Sequence, residues 1–134
     1  MRLRTKAREV ALQYLYQVDI TRRHSEEGLK TFIAHFVKSQ DVIKYARELI
    51  NGVFTNLEKI DELIDSASKN WPVRRMSKTD RNILRIAAYE LIFNPDIPYK
   101  VVINEGIELA KRFGSLKSSA FVNGVLDRIR IEGC

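Results

Sequence analysis

An all-α fold is predicted by three features of the chain. Apolar residues recur at i, i+3, i+4 and i+7 almost throughout, strand-like alternation is nearly absent, and caps and breakers separate the periodic segments. At 134 residues, 45% of them hydrophobic and 30% charged, the chain is long enough for one sizeable core and too short for two ordinary independent domains. The expected architecture is about seven helices in two small packed helical bundles that share a core. Residues 1–134 then form one domain, with an N-terminal helical subdomain over about 1–70 and a C-terminal one over about 77–132.

Each element has a local reason. The first helix runs from about Lys6 to Asp19, with Ala7, Ala11, Leu15 and Val18 on one stripe and Tyr14 beside it. Ser25 caps a second helix to about Lys38, and Glu26 and Glu27 suit the positive end of its dipole. A third spans about Asp41 to Leu57 through Ala46, Leu49, Ile50 and Val53, and a fourth about Glu58 to Lys69 through Ile60, Leu63, Ile64 and Ala67. The segment NWPVRRMSKTD interrupts the pattern: Pro72 ends regular structure and Ser77 opens a fifth helix, about Lys78 to Phe93. The subdomain boundary is placed at this break. The clearest punctuation lies in DIPYKVVINEGIELAKRFGSLKSSAFVNGVLDRI, Asp96 to Ile129. Asp96 and Pro98 start a sixth helix, Tyr99 to Phe113, Gly114 closes it, and Ser118 or Ser119 caps a seventh to Ile129. Most residues from Val101 to Phe113 are expected in the core.

A formal charge of +6 and a pI near 9.6 favour a polyanionic partner. Arg2, Arg4, Lys6 and Arg8 place four cations in the first eight residues, and Arg22 and Arg23 follow one helix later. On charge alone two readings stand, a phosphate-binding arm and a solvated basic end. Cys134 is the only cysteine, so no internal disulfide or thiolate cluster forms, and His24 and His35 have no companion at ligand spacing. No metal or cofactor is expected. With no apolar run near the roughly 20 residues that cross a bilayer, and no apolar core behind the basic N-terminus, the expectation is a soluble, free-standing cytoplasmic protein without a membrane partner.

Chemistry-bearing motifs are missing: there is no HExxH, GxSxG, Walker loop or CxxC. Glu105 and Glu108 share a helix face, as solvated carboxylates often do, so no enzyme is expected. Binding features are better represented. Val122, Val125, Leu126 and Ile129 form the buried stripe of the last helix, and Phe121 falls about a quarter-turn from its centre. Either it sits at the rim, where with Lys117 it resembles the stacking-plus-cation arrangement that holds unpaired bases, or it packs under a neighbouring helix. Tyr16, two positions from Tyr14, cannot share its face; it is an exposed contact residue or a tyrosine lying along the surface. Asp80, three after Ser77, has the spacing of a capping-box acid, and Asn104 reads as a buried amide bridging helices.

LRIAAYELIF at 84 to 93, IPYKVVINEGIELAKRFG at 97 to 114, FVNGVLDRI at 121 to 129 and the basic RTKAREVALQYLYQ, Arg4 to Gln17, resemble the NusB family of bacterial transcription factors. The likeness covers both ends of the chain; the middle, about Asp19 to Val73, is generic. It implies two small helical bundles, no catalysis and no cofactor. It also implies pairing with NusE, the tenth small-subunit ribosomal protein, and binding of boxA-type single-stranded RNA by that pair. The complex would join the antitermination assembly on RNA polymerase with other Nus factors, chiefly in ribosomal RNA transcription. Carried over by position, the RNA surface would comprise Arg2, Arg4, Lys6, Arg8, Lys117 and Phe121, and the NusE contact Tyr16 and Asp80. Three departures stand out. Lys117 replaces an acid found in some relatives, which removes repulsion from phosphate. Asp80 is one carbon shorter than the family's glutamate. Thr5 and Ala7 thin the basic terminus.

Family members differ in self-association, so a homodimer that covers the RNA surface is a further expectation. Two rival functions carry different predictions: a helical adaptor that binds only protein, and an RNA-binding accessory domain like that preceding the catalytic domain of RNA cytosine methyltransferases.

Overall fold

The computed structural model describes residues 2–133, with side chains from Leu3 to Glu132. Among these residues there are seven α-helices, one 3-10 turn and no strand. The helices are α1 Arg2–Thr21, α2 Glu26–Phe36, α3 Gln40–Thr55, α4 Leu57–Ser68, α5 Lys78–Phe93, α6 Tyr99–Phe113 and α7 Ser118–Gly133. The 3-10 turn Val73–Arg75 occupies the break predicted after Pro72.

Side-chain caps set three of the starts. Ser25 Oγ accepts from Gly28 N at 2.9 Å, Ser39 Oγ from Val42 N at 3.4 Å and Ser77 Oγ from Asp80 N at 3.0 Å. Helix α6 begins behind Pro98, which has no N–H to leave unpaired. Helix α1 starts earlier than its apolar stripe suggests, so the basic segment is itself helical, and it ends where Arg22 turns into left-handed backbone, φ 61°.

Helix α5 is the hub. Ile83, Leu84, Ile86, Ala87, Ala88 and Leu91 are buried, and the helix touches α1, α3, α4, α6 and α7. A helix apolar on so much of its circumference has to be enclosed. Helix α1 packs on α3 and α5, and α6 on α7. Gly106 allows that last contact: a Cβ there would stand 3.0 Å from Leu126 Cδ1. Helix α4 packs chiefly on α5 and α7, with Arg128 Nη1 of α7 donating to Ala67 O at 3.0 Å. The Ile60, Ile64 and Ala67 stripe of α4 is thus covered by helices that follow Pro72 in sequence. The buried residues form one continuous cluster.

Asn104 is exposed and bridges no helices in the interior. Phe113 is 37% exposed: it continues the Val102, Gly106, Leu109 stripe, but the helix ends there and the chain turns away. No helix is long and apolar enough to cross a membrane among the described residues.

Candidate nucleic-acid interface

The cations in the first turns of α1 have opposite fates. Arg8 is buried, with 2% exposure, so the expectation that it contacts RNA is corrected. Its Nε and Nη2 reach Glu90 Oε1 and Oε2, both at 2.9 Å, and its Nη1 reaches Glu105 Oε1 at 3.0 Å. Thr5 Oγ1 donates to the same Glu105 oxygen at 2.7 Å, and the Tyr45 hydroxyl donates to Glu90 Oε2. One guanidinium thus ties α1 to α5 and α6, and the tyrosine adds α3. Burial disfavours the charged form of Arg8, but the Glu90 bond and nearby carboxylates outweigh it and raise its pKa. Burial, then the bond to Glu90, pushes the Tyr45 phenol well up, so it stays a donor. Two residues foreshadow this cluster in the sequence. Arg8 lies on the Ala11, Leu12, Leu15 face, and Glu90 follows Ile83, Ile86 and Ala87 at i+7, i+4 and i+3. A buried charge on each of two apolar stripes calls for its opposite.

Arg4, one turn before Arg8 on the same side of the helix, and Lys6, on the opposite side, are exposed. The Arg4 guanidinium carbon lies 5.0 Å from the centroid of the Tyr45 ring, which holds the side chain without neutralising it. The Arg2 side chain lies outside the described ones.

Helix α6 links this surface to the start of α7. Besides the Glu105 bonds, Arg112 Nη1 and Nη2 donate to Glu9 at 2.6 and 3.2 Å. Lys117 is exposed in the turn before α7, and Phe121 is half-buried against the core edge while Val122 is fully buried. Ser118 does not cap α7 forward; it is buried and its Oγ accepts from Ser115 N at 2.9 Å. Gly114 has extended backbone, φ −96°, so its role is steric: a Cβ would meet Ser118 Oγ at 2.5 Å.

A second surface faces the junction of α1 and α5. Tyr16, 41% exposed, lines a groove of about 330 Å³ with Leu12, Gln13, Thr79 and Phe113. Asp80 adjoins it at the start of α5. Ser77 Oγ accepts from its backbone N–H, but its own Oδ1 is buried without a hydrogen-bond partner, so the reciprocal half of a capping box is not made. Phe113 is the groove residue that periodicity missed, since its spacing assigns it to the core.

The NusB family model matches residues 5–130. The transcription antitermination protein NusB of Desulfatibacillum aliphaticivorans is 47% identical over 129 residues, which is 96% of this chain and 90% of the relative. The chain belongs to the NusB family. That of Myxococcus xanthus is 46% identical and is covered to 96%, against 98% of this chain. T. maritima NusB superposes with a TM-score of 0.86 at 39% identity, over 96% of this chain and 91% of that one. The antitermination factor NusB crystallised with NusE and double-stranded RNA gives a TM-score of 0.88 at 30% identity, covering 98% of each chain. The family is one of transcription antitermination factors with the all-helical fold seen here.

Proposed function

We propose that this chain binds boxA-type RNA together with NusE, and that the pair joins the RNA polymerase antitermination complex with the other Nus factors during ribosomal RNA transcription. The observation that carries the reading is the separation of two exposed surfaces on one rigid frame. Arg4, Lys6, Lys117 and Phe121 lie on α1, the turn before α7 and α7 itself, braced through α6, and the groove of Tyr16, Thr79 and Phe113 beside Asp80 lies on α1, α5 and the end of α6. Cations supply affinity for phosphate in any sequence, and a rim aromatic contacts unstacked bases. The relative crystallised with NusE and RNA supports both partners. No step of chemistry is required of the chain.

Fluorescence anisotropy with boxA and scrambled RNA, each with and without NusE, tests the reading. BoxA RNA should bind more tightly than the scrambled sequence, and NusE should widen the gap. Equal affinity for both RNAs under both conditions would leave a protein-only adaptor. Phe121→Ala should weaken boxA binding with little change in melting temperature, whereas a large fall in melting temperature would assign the ring to the core. Asp80→Lys should reduce NusE affinity by calorimetry more than it alters RNA binding by the isolated chain; unchanged NusE affinity would remove Asp80 from that surface.

A further inference from the structure

The connection between α4 and α5 is a second concentrated basic surface, which the boxA and NusE surfaces leave without a task. From Lys69 to Thr79 the sequence holds four cations, Lys69, Arg74, Arg75 and Lys78, and no acid. The segment is pinned from beneath. Val73 and Met76 are buried, Val73 N donates to Asp65 Oδ1 at 2.7 Å, and Ser68 Oγ donates to Trp71 O at 2.7 Å. The pinning turns Trp71 outward at 47% exposure, with Arg74 and Arg75 exposed beside it. Neither arginine forms an ion pair among the described residues. Lys69 adopts left-handed backbone, φ 58°, a conformation that a side-chain-bearing residue holds only where its surroundings impose it. Arg74 also shares with Arg22 a cleft of about 660 Å³, whose three carboxylates are engaged, Asp19 and Asp61 by Arg81 and Arg85 and Asp65 by Val73 N, so that Arg22 and Arg74 are the cations there without an ion pair among the described residues.

We propose that Trp71, Arg74, Arg75 and Arg22 form a second contact for single-stranded RNA, with Trp71 stacking on an unpaired base and the arginines holding the flanking phosphates. A solvated charge run explains the arginines but not an outward tryptophan fixed on the same braced loop. The proposal deepens the RNA-binding reading and rests on it for the identity of the RNA. Arg4 and Arg22 stand about 27 Å apart along α1, so an RNA that touches both surfaces has to run the length of that helix, and a flanking extension supplies the added length.

Trp71 is the single tryptophan of the chain, so its fluorescence reports this contact alone. The whole protein is titrated with boxA-length RNA, the same RNA carrying an oligo(U) extension on either side, oligo(U) alone, and inorganic polyphosphate. The extended RNA and oligo(U) should quench Trp71, and the extended RNA should bind about three- to tenfold more tightly than the short one. The double variant Arg74→Ala with Arg75→Ala should abolish that gain while keeping the short RNA's affinity and the parent melting temperature. An absence of quenching at saturating extended RNA, or a gain that survives in the double variant, overturns the proposal. Equal quenching by polyphosphate overturns the stacking contact. If the short RNA fails to bind while oligo(U) still quenches Trp71, the boxA reading falls and the second contact stands.

Discussion

Two ion networks hold α1 to α5, and they differ in what surrounds them. Near the N-terminal end, Arg8, Glu90 and Tyr45 are sealed in the core, with a fork of two parallel 2.9 Å bonds at its centre. At the other end Asp19 accepts from Arg81 Nε at 2.8 Å and Asn82 Nδ2 at 2.7 Å, and Arg85 pairs with Asp61 at 2.9 Å, all on the wall of an open cleft. The bonds are alike in chemistry and length. Access to water decides what each is worth, because a broken partner at the cleft is replaced by solvent, whereas a broken partner in the core leaves a charge stranded.

Arg8→Ala should therefore show the largest effect, a loss of about 3–5 kcal/mol, seen as a melting temperature lower by roughly 10 °C or more. Arg8→Lys should recover only part of it, since a point charge cannot repeat the two-bond fork. Asp19→Ala should cost less, about 1–2 kcal/mol; equal losses at the two sites would erase the distinction between sealed and open networks.

Acid sharpens the contrast. Burial acts to raise the Asp19 pKa, but hydrogen bonds from Asn82 and Arg81 and the charges of Arg85 and Arg81 outweigh it and hold it below its ordinary 3.8. A carboxylate whose folded pKa is depressed contributes stability above its unfolded value and loses it as pH falls through the folded one. Melting temperature should thus drop below about pH 4, and Asp19→Asn should flatten part of that drop. An unchanged acid profile in the variant would assign the sensitivity to other carboxylates.

The smallest effect on stability belongs to the exposed cations of α1, Arg4 and Lys6. Arg4→Ala with Lys6→Ala should change stability by less than about 0.5 kcal/mol. In a salt titration, the logarithmic slope of RNA binding should flatten by about 0.7 for each phosphate that the variant no longer neutralises. An unaltered slope would show that the outer cations do not touch RNA. Neutralising Arg4 together with Arg8 would confound binding with unfolding, because the two lie one turn apart on the same side of α1 and only Arg8 is buried.

The same distinction marks the limit of what the sequence reveals. Helices α5 and α6 are legible to the residue because Ser77, Pro98 and Gly114 act within a turn of themselves. The placement of Arg8 is legible only in its helical phase beside Ala11, Leu12 and Leu15, since charge counting is blind to the carboxylates that lie 82 and 97 residues away in sequence. Helical angle alone leaves Phe121 between the rim and a place under a neighbouring helix, and it misplaces exposed Phe113, because periodicity assumes that the helix continues. The place of α4 is also hidden: its stripe shows that it packs, not on what.

The turn at Gly114 works as an angular index for α7. Ser118 sits tightly over Gly114 and accepts from Ser115 N, which fixes the rotation at which the helix leaves the turn. One inserted residue in the turn would rotate everything after it by about 100°. Val122 would swing off the core, Phe121 would swing toward or away from its neighbours, and the composition of the helix would be unchanged. A short turn between two helices thereby sets which of two adjacent side chains meets solvent.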